Sequence, residues 1–557
     1  MFRTWSSCSA LLLVSELLAC ARPSPGARST PSELTAAESL YADLREARDQ
    51  IDIALALGHT GITDVTPLSI WTRNHNALRR SVLSRLAAID STGLGKDDRR
   101  ALEVMRRALD RDIDSLTPLT AAPAEAETAM PSCRYDPRAV VARSRGLDSL
   151  RARLYACYGW AQSHVVVGSD TLDRLTVLGG LGRTAEPARR RQLFLGLEPV
   201  WRSMNGDNSP ASPYRTLIRE QMEQHKGPLP SLLQARASGV PPDSLEPWLL
   251  RILQTWRRTN SDSLVEPWDW YYEMGRASRA FIPGIPRERL TELNAAVYRS
   301  FGVDVKQLGI QYDLQPRKGK TSVAYTTFGR RPRRINGSWR PGEPWVFATY
   351  RTGGLDNLGE LLHETGHAMH IAAIRTRPAF ADWPDSDPFT EAVADFVALE
   401  IAEPAWQQRW LGDSVPLAAG LRARYSSIVL DLAWALFELQ LQRNPDVDPN
   451  QVWSALTRNY LRIRPHPELS WWAMRGQLVD APGYMMNYAA GAMLIAAIRE
   501  RTRQLHGPFA VGDTTWYGWL APRLFRFGLE RPSREVIEEF LGGPVSPKAI
   551  LADMARE

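Results

Sequence analysis

Cysteine is scarce in this chain of 557 residues: there are four, at positions 8, 20, 133 and 157. No Cys-x-x-Cys pair occurs and no adjacent histidine accompanies them, which excludes a cysteine-ligated zinc site. Long apolar runs are lacking as well. The apolar segment near the start, 10–18, is interrupted by Glu16 and is too short to cross a bilayer. Strand-like runs are few and no internal repeat is evident. The formal net charge is +6, yet no nucleic-acid-binding motif goes with it, so nucleic acid is not expected as a partner.

The first twenty residues have the order of an export signal of the lipoprotein kind. Arg3 supplies a thin basic start, an apolar core follows, and Leu17-Leu18-Ala19-Cys20 is similar to a bacterial lipobox. Cys20 would then carry a lipid, the only membrane contact expected, and 21–32, rich in Pro and Ser, would be a flexible tether. An ordinary secretory signal is the alternative. Either leads to a bacterial cell-envelope, periplasmic or secreted location. Cys133 and Cys157 remain in the mature body, where they can close a disulfide worth about 3 kcal/mol in the chain-entropy description, or stay as buried thiols.

After the tether, apolar residues recur at helical spacing over 33–56, 66–88, 97–116, 136–163, 185–204, 213–224, 244–259 and 287–301. Residues 117–132, rich in Ala, Pro and Glu, are expected as a loop. The strand-like stretches 321–328 and 345–350 predict a small sheet just before 355, and its edge can take an extended peptide as an added strand. The expected fold is mainly α: two helical lobes, 33–285 and 286–557, flanking a deep substrate cleft, with the catalytic chemistry in the second. The basic group Arg330, Arg331, Arg333 and Arg334 is expected as a solvated loop, with a border of that cleft as the alternative.

The decisive pattern is His363-Glu364-Thr365-Gly366-His367. On a helix, positions i and i+4 share a face, so both imidazoles reach one point, while Glu364, rotated by about 100° from His363, stays off the metal and beside it. That places a general base next to a zinc ligand pair. Apolar residues at 355, 358, 361, 362, 368, 369 and 371 bury the helix. A catalytic zinc site needs a third protein ligand. Glu391, 24 residues after His367, supplies it, and Asp395, one turn on, is placed to orient a ligand histidine. A rival motif with histidine as third ligand would need His at 373, where the chain has Ala373; His370 is expected as a packed residue.

These residues resemble the thimet-oligopeptidase and angiotensin-converting-enzyme group of zinc peptidases. The resemblance covers roughly 300–555 and is carried by DLQPRKGK (313–320) followed by Ala324 and Tyr325, by the zinc helix through His370, and by TEAVAD (390–395). It implies one zinc ion held by His363, His367 and Glu391, and a late tyrosine that donates to the oxyanion. GYMMNYAAG (483–491) is the corresponding stretch, making Tyr488 the first choice for that donor and Tyr484 the second; Tyr484 and Arg317 are also candidates for contacting substrate. The chain departs from the group in two places. No histidine lies about ten residues before Tyr488, the nearest being His466, and Gly476 stands near the group's carboxylate-binding lysine. The reading is therefore an exported zinc metallopeptidase of short oligopeptides, endopeptidase or peptidyl-dipeptidase. An inactive zinc-containing peptide-binding lipoprotein and an aminopeptidase-type hydrolase are the alternatives.

Overall fold

Proline opens several of the described helices. Helices open on Pro187, Pro213, Pro230, Pro242, Pro404 and Pro449. Proline's fixed φ and missing N–H cost nothing at a first helical position. The computed structural model describes residues 31–58, 61–63, 66–111, 141, 146–260, 263–317, 320 and 323–556. The expected signal, the lipobox cysteine, most of the tether, Cys133 and the loop 117–132 lie outside them.

The fold is mainly α, with a few small sheets. Several helices match their periodicity within a few residues: Pro31–Ala56, Leu68–Ala88, Pro213–Gln224 and Pro242–Arg258. The expected helix 185–204 is two, Pro187–Gly196 and Glu198–Asn205. Pro199 has no N–H to give to the carbonyl of residue 195, so the hydrogen-bond ladder breaks there.

The sheet before the histidine-bearing helix has three strands, with Glu343–Phe347 in the middle. It pairs in parallel with Gln311–Asp313, which periodicity did not reveal because three residues carry no readable alternation, and antiparallel with Tyr325–Arg330. The latter is an edge strand and places Thr326 opposite Val346. A separate hairpin pairs Arg333–Ile335 with Ser338–Arg340.

One apolar cluster runs from Leu150 to Met554, so residues on both sides of position 285 contribute to it. A second joins the helices Pro31–Ala56, Leu68–Ala88 and Lys96–Arg111 to Ala379 and Phe380. Charge ties the first helix to the sheet region. Arg331 is buried between Asp49, at 2.7 Å, and Asp382, at 3.0 Å. Arg333 pairs with Asp43, and Arg340 with Glu46. Arg331 and Arg333 thus form a seam against an acidic helix face, with partners some 280 residues away that leave no local signature, whereas Arg330 and Arg334 are exposed, as expected of a solvated loop. Cys157 is buried and held in a disulfide.

Candidate metal centre

The histidine helix, Leu355–Ala373, buries Leu355, Leu358, Leu361, Leu362, Ala368, Met369 and Ile371, leaving one face for His363 and His367. Their rings stand nearly perpendicular, with centroids 4.7 Å apart. The glutamate helix, Asp387–Ala398, starts at Ser386, whose hydroxyl accepts from the backbone N–H of Phe389, and has Pro388 in its first turn. It lies so close to the histidine helix that a β-carbon on Gly366 would sit 2.4 Å from the carbonyl oxygen of Ala394. Glycine is what permits the approach.

That approach brings the third ligand in. Glu391 Oε2 lies 3.3 Å from His363 Nε2 and 3.7 Å from His367 Nε2. Donors bound at about 2.1 Å to one tetrahedral ion stand roughly 3.4 Å from each other, so these separations fit zinc. Among the described residues this is the only group of three or more His, Cys, Asp or Glu with ligand atoms gathered this way, all within 4.8 Å of one another. Asp395 Oδ1 is 2.7 Å from His363 Nδ1, which turns Nε2 toward the shared point.

The charges agree with a cation site. Burial pushes the Glu391 carboxyl upward, but hydrogen bonds and charge from His363 and His367 outweigh it and hold it well below the usual carboxylate range. Burial pulls His363 down, whereas Asp395 and then Glu391 lift it well above the ordinary imidazole value. A metal ion at Nε2 would take the place of the proton there, since only the neutral imidazole ligates. His370, one turn beyond, is a different case. It is fully buried against Trp383, Phe389 and Phe525, and burial, aided by His367, pushes it down to about 3.

Glu364 is buried on the sheet side of the helix. The Thr326 hydroxyl lies 2.7 Å from its Oε2 and 2.9 Å from its backbone carbonyl oxygen. This leaves Oε1 as the oxygen available for proton transfer. The same turn is pinned by Tyr298, whose hydroxyl donates to the Leu362 carbonyl at 2.5 Å, and by Tyr312, 3.1 Å from the Thr365 hydroxyl. Sequence reading placed a strand over Thr326 but did not single the residue out, since a register across the sheet decides which threonine faces Glu364.

The tyrosine helix, Met485–Leu505, packs along the glutamate helix, with Gly491 facing Pro388. It carries Tyr488, and Tyr484 stands at its start; the two rings meet edge to face with centroids 5.7 Å apart. Burial raises both phenols above the ordinary tyrosine value. Gln477 Nε2 donates to the Tyr488 hydroxyl at 3.1 Å, and the Arg475 guanidinium lies over its ring, 5.5 Å from the centroid. Gln477, eleven residues before Tyr488, went unnoticed because an isolated glutamine has no sequence signature. His466 is held instead by Glu266 and Glu468. Gly476 lies under the Tyr158 ring, where a β-carbon would be 2.6 Å from Cε1, so no lysine fits there. Arg317 is engaged by Asp313, at 2.6 Å, and by the Ala56 carbonyl at the end of the first helix.

No protein-family model and no curated protein matches the chain. Solved structures do. An M32 carboxypeptidase from Deinococcus radiodurans R1 superposes with a TM-score of 0.52 at 15% identity, covering 94% of this chain and 97% of that one. A protein from Chlamydophila abortus superposes with a TM-score of 0.54 at 12% identity, covering 87% of this chain and 82% of that one. This chain shares their fold.

Proposed function

We propose that the chain is a zinc-dependent peptidase of short oligopeptides. The observation that carries the reading is the convergence of His363, His367 and Glu391 within 4.8 Å of one another, with Glu364 on the next position of the same helix. A fold shared with a carboxypeptidase supports it. Zinc bound there supplies Lewis acidity, polarising a peptide carbonyl and making water acidic at neutral pH.

The chain's own groups do the rest. Glu364, held through Oε2 by Thr326, takes the proton of the attacking water on its other oxygen and hands it to the departing amine. Because the Gln477 amide donates to the Tyr488 oxygen, the phenolic proton is free to turn toward charge developing on the carbonyl oxygen. Asp395 keeps His363 in the tautomer that offers Nε2. In this reading substrate enters a cleft between helical lobes, and the N-terminal segment delivers the enzyme to the cell envelope on a lipidated Cys20. The group resembled in the sequence contains both endopeptidases and peptidyl-dipeptidases. With Gly476 closed to a lysine, recognition of a free C-terminus is not built in the manner of converting enzymes, and we favour internal cleavage.

The test uses protein beginning at residue 31, with zinc, a pool of short peptides with free or amidated C-termini, and product detection by mass spectrometry. Internal cuts in both sets, lost in Glu364→Gln with zinc retained, support an oligopeptidase. Dipeptides released only from free C-termini would establish a peptidyl-dipeptidase. No zinc-dependent product would sink the proposal in favour of a peptide-binding lipoprotein.

A further inference from the structure

Glu360 starts the row of side chains that leads into the metal site. It lies three residues before His363, four before Glu364 and seven before His367, so all four project from one face of the histidine helix. Solvent reaches its side chain, in contrast to the buried Leu361 and Leu362 beside it. It makes no ion pair: among the described residues no basic group comes within bonding distance of the carboxylate. The hydroxyl of the buried Tyr350 lies against it without a well-aligned hydrogen bond. Enough protein surrounds the carboxyl that burial, followed by the charge of Glu364, pushes it up to about 7, with Tyr350 and His363 pulling the other way. An exposed carboxylate one helical turn before the ligand His363 and without an ion-pair partner is open to a cation carried by the substrate.

Resting on the peptidase reading above, we propose that Glu360 is a specificity-determining residue that recognises a positive charge on the peptide. One helical turn is about 5.4 Å and an extended chain advances about 3.3 Å per residue, so the charge sits within one or two residues of the cut bond. The recognised group is an ammonium or guanidinium. A lysine or arginine side chain supplies it in mid-peptide, and a free α-amine supplies it when the cut lies near the N-terminus.

The experiment compares kcat/KM of the zinc-loaded protein on matched peptides in which the residue on either side of the cut is lysine, norleucine or glutamate, each with a free and an acetylated N-terminus. Lysine should exceed norleucine by about tenfold and glutamate by more, at one position. In Glu360→Gln the lysine-to-norleucine ratio should fall toward one, and in Glu360→Lys glutamate should overtake lysine. A lysine preference that survives acetylation assigns the side chain as the recognised group, while one replaced by sensitivity to acetylation assigns the α-amine. Turnover with no charge preference in the unsubstituted protein, which needs no variant to fold, overturns the inference and leaves the peptidase reading standing. A preference unchanged in both variants, with zinc content and melting temperature intact, overturns it equally. Absence of turnover on every peptide overturns the peptidase reading and this inference with it.

Discussion

Gly366 and Ala394 meet where a β-carbon on the first would lie 2.4 Å from the carbonyl oxygen of the second. Gly366 is one residue from a ligand histidine and Ala394 one from Asp395, so this contact sets how far Glu391 and Asp395 stand from the imidazoles. Gly366→Ala must push the two helices apart. We expect a loss of about 1–3 kcal/mol in stability from overpacking, and zinc retention well below one per chain, read by elemental analysis after dialysis. A variant that keeps both zinc and melting temperature would show that the contact has slack.

Asp395 Oδ1 lies 2.7 Å from the far nitrogen of His363. Asp395→Asn keeps the shape but removes the negative charge that raises the imidazole's basicity. Zinc affinity should weaken by about 10–100-fold, measured by competition with a chelator, with the fold unchanged by circular dichroism.

Tyr488→Phe deletes a donor proposed to act on charge that appears during reaction. The expected result is a fall in kcat of about a hundredfold with KM nearly constant. Gln477→Leu should give a smaller kcat loss, because the hydroxyl remains but is no longer turned. Equal losses in kcat and gains in KM for both variants would point to substrate binding instead.

Arg331 is buried between Asp49 and Asp382. Arg331→Met leaves the buried Asp49 without its ion-pair partner, while Asp382 keeps Arg45 at 2.7 Å, and the destabilisation should be about 3 kcal/mol. Chemical denaturation checks this. The change should loosen the first helix from the sheet, visible as faster hydrogen exchange in 31–56.

Glu438 accepts from the backbone N–H groups of Gly483, at 2.6 Å, and Met485, at 3.3 Å, at the turn that leads into the tyrosine helix. Burial nevertheless pushes it up to about 8, above the ordinary 4.5, the two N–H groups pulling the other way. A raised carboxyl favours the folded state while protonated. Its contribution is complete below pH about 4.5 and declines as pH rises through about 8, by at most about 1.4 kcal/mol per unit. Relative to Glu438→Gln, the unsubstituted protein should therefore lose stability steadily between pH 5 and 8 and level off above. Parallel denaturation curves for the two proteins across that range would refute this.

The residues whose roles depend on local periodicity were readable in the sequence. His363, Glu364 and His367 share a face because a helix repeats every 3.6 residues, and the apolar positions around them are enough to bury that helix; Glu391 and Asp395 follow from the same periodicity one helix on. The helices between 31 and 301 with a clear apolar period were legible for this reason, whereas Leu417–Arg443, buried on nearly all sides, shows no single apolar stripe and was not expected. Tertiary structure alone decided how these pieces face one another. The distance of 3.3 Å from Glu391 to His363 depends on a close helix crossing, and the choice of Thr326 over Thr327 as the partner of Glu364 depends on sheet register. Gln477 beside Tyr488, and Arg331 between two acids, depend on packing between segments far apart in the chain. Such relations pair residues across tens to hundreds of positions, and a single sequence carries no periodic signal over that range.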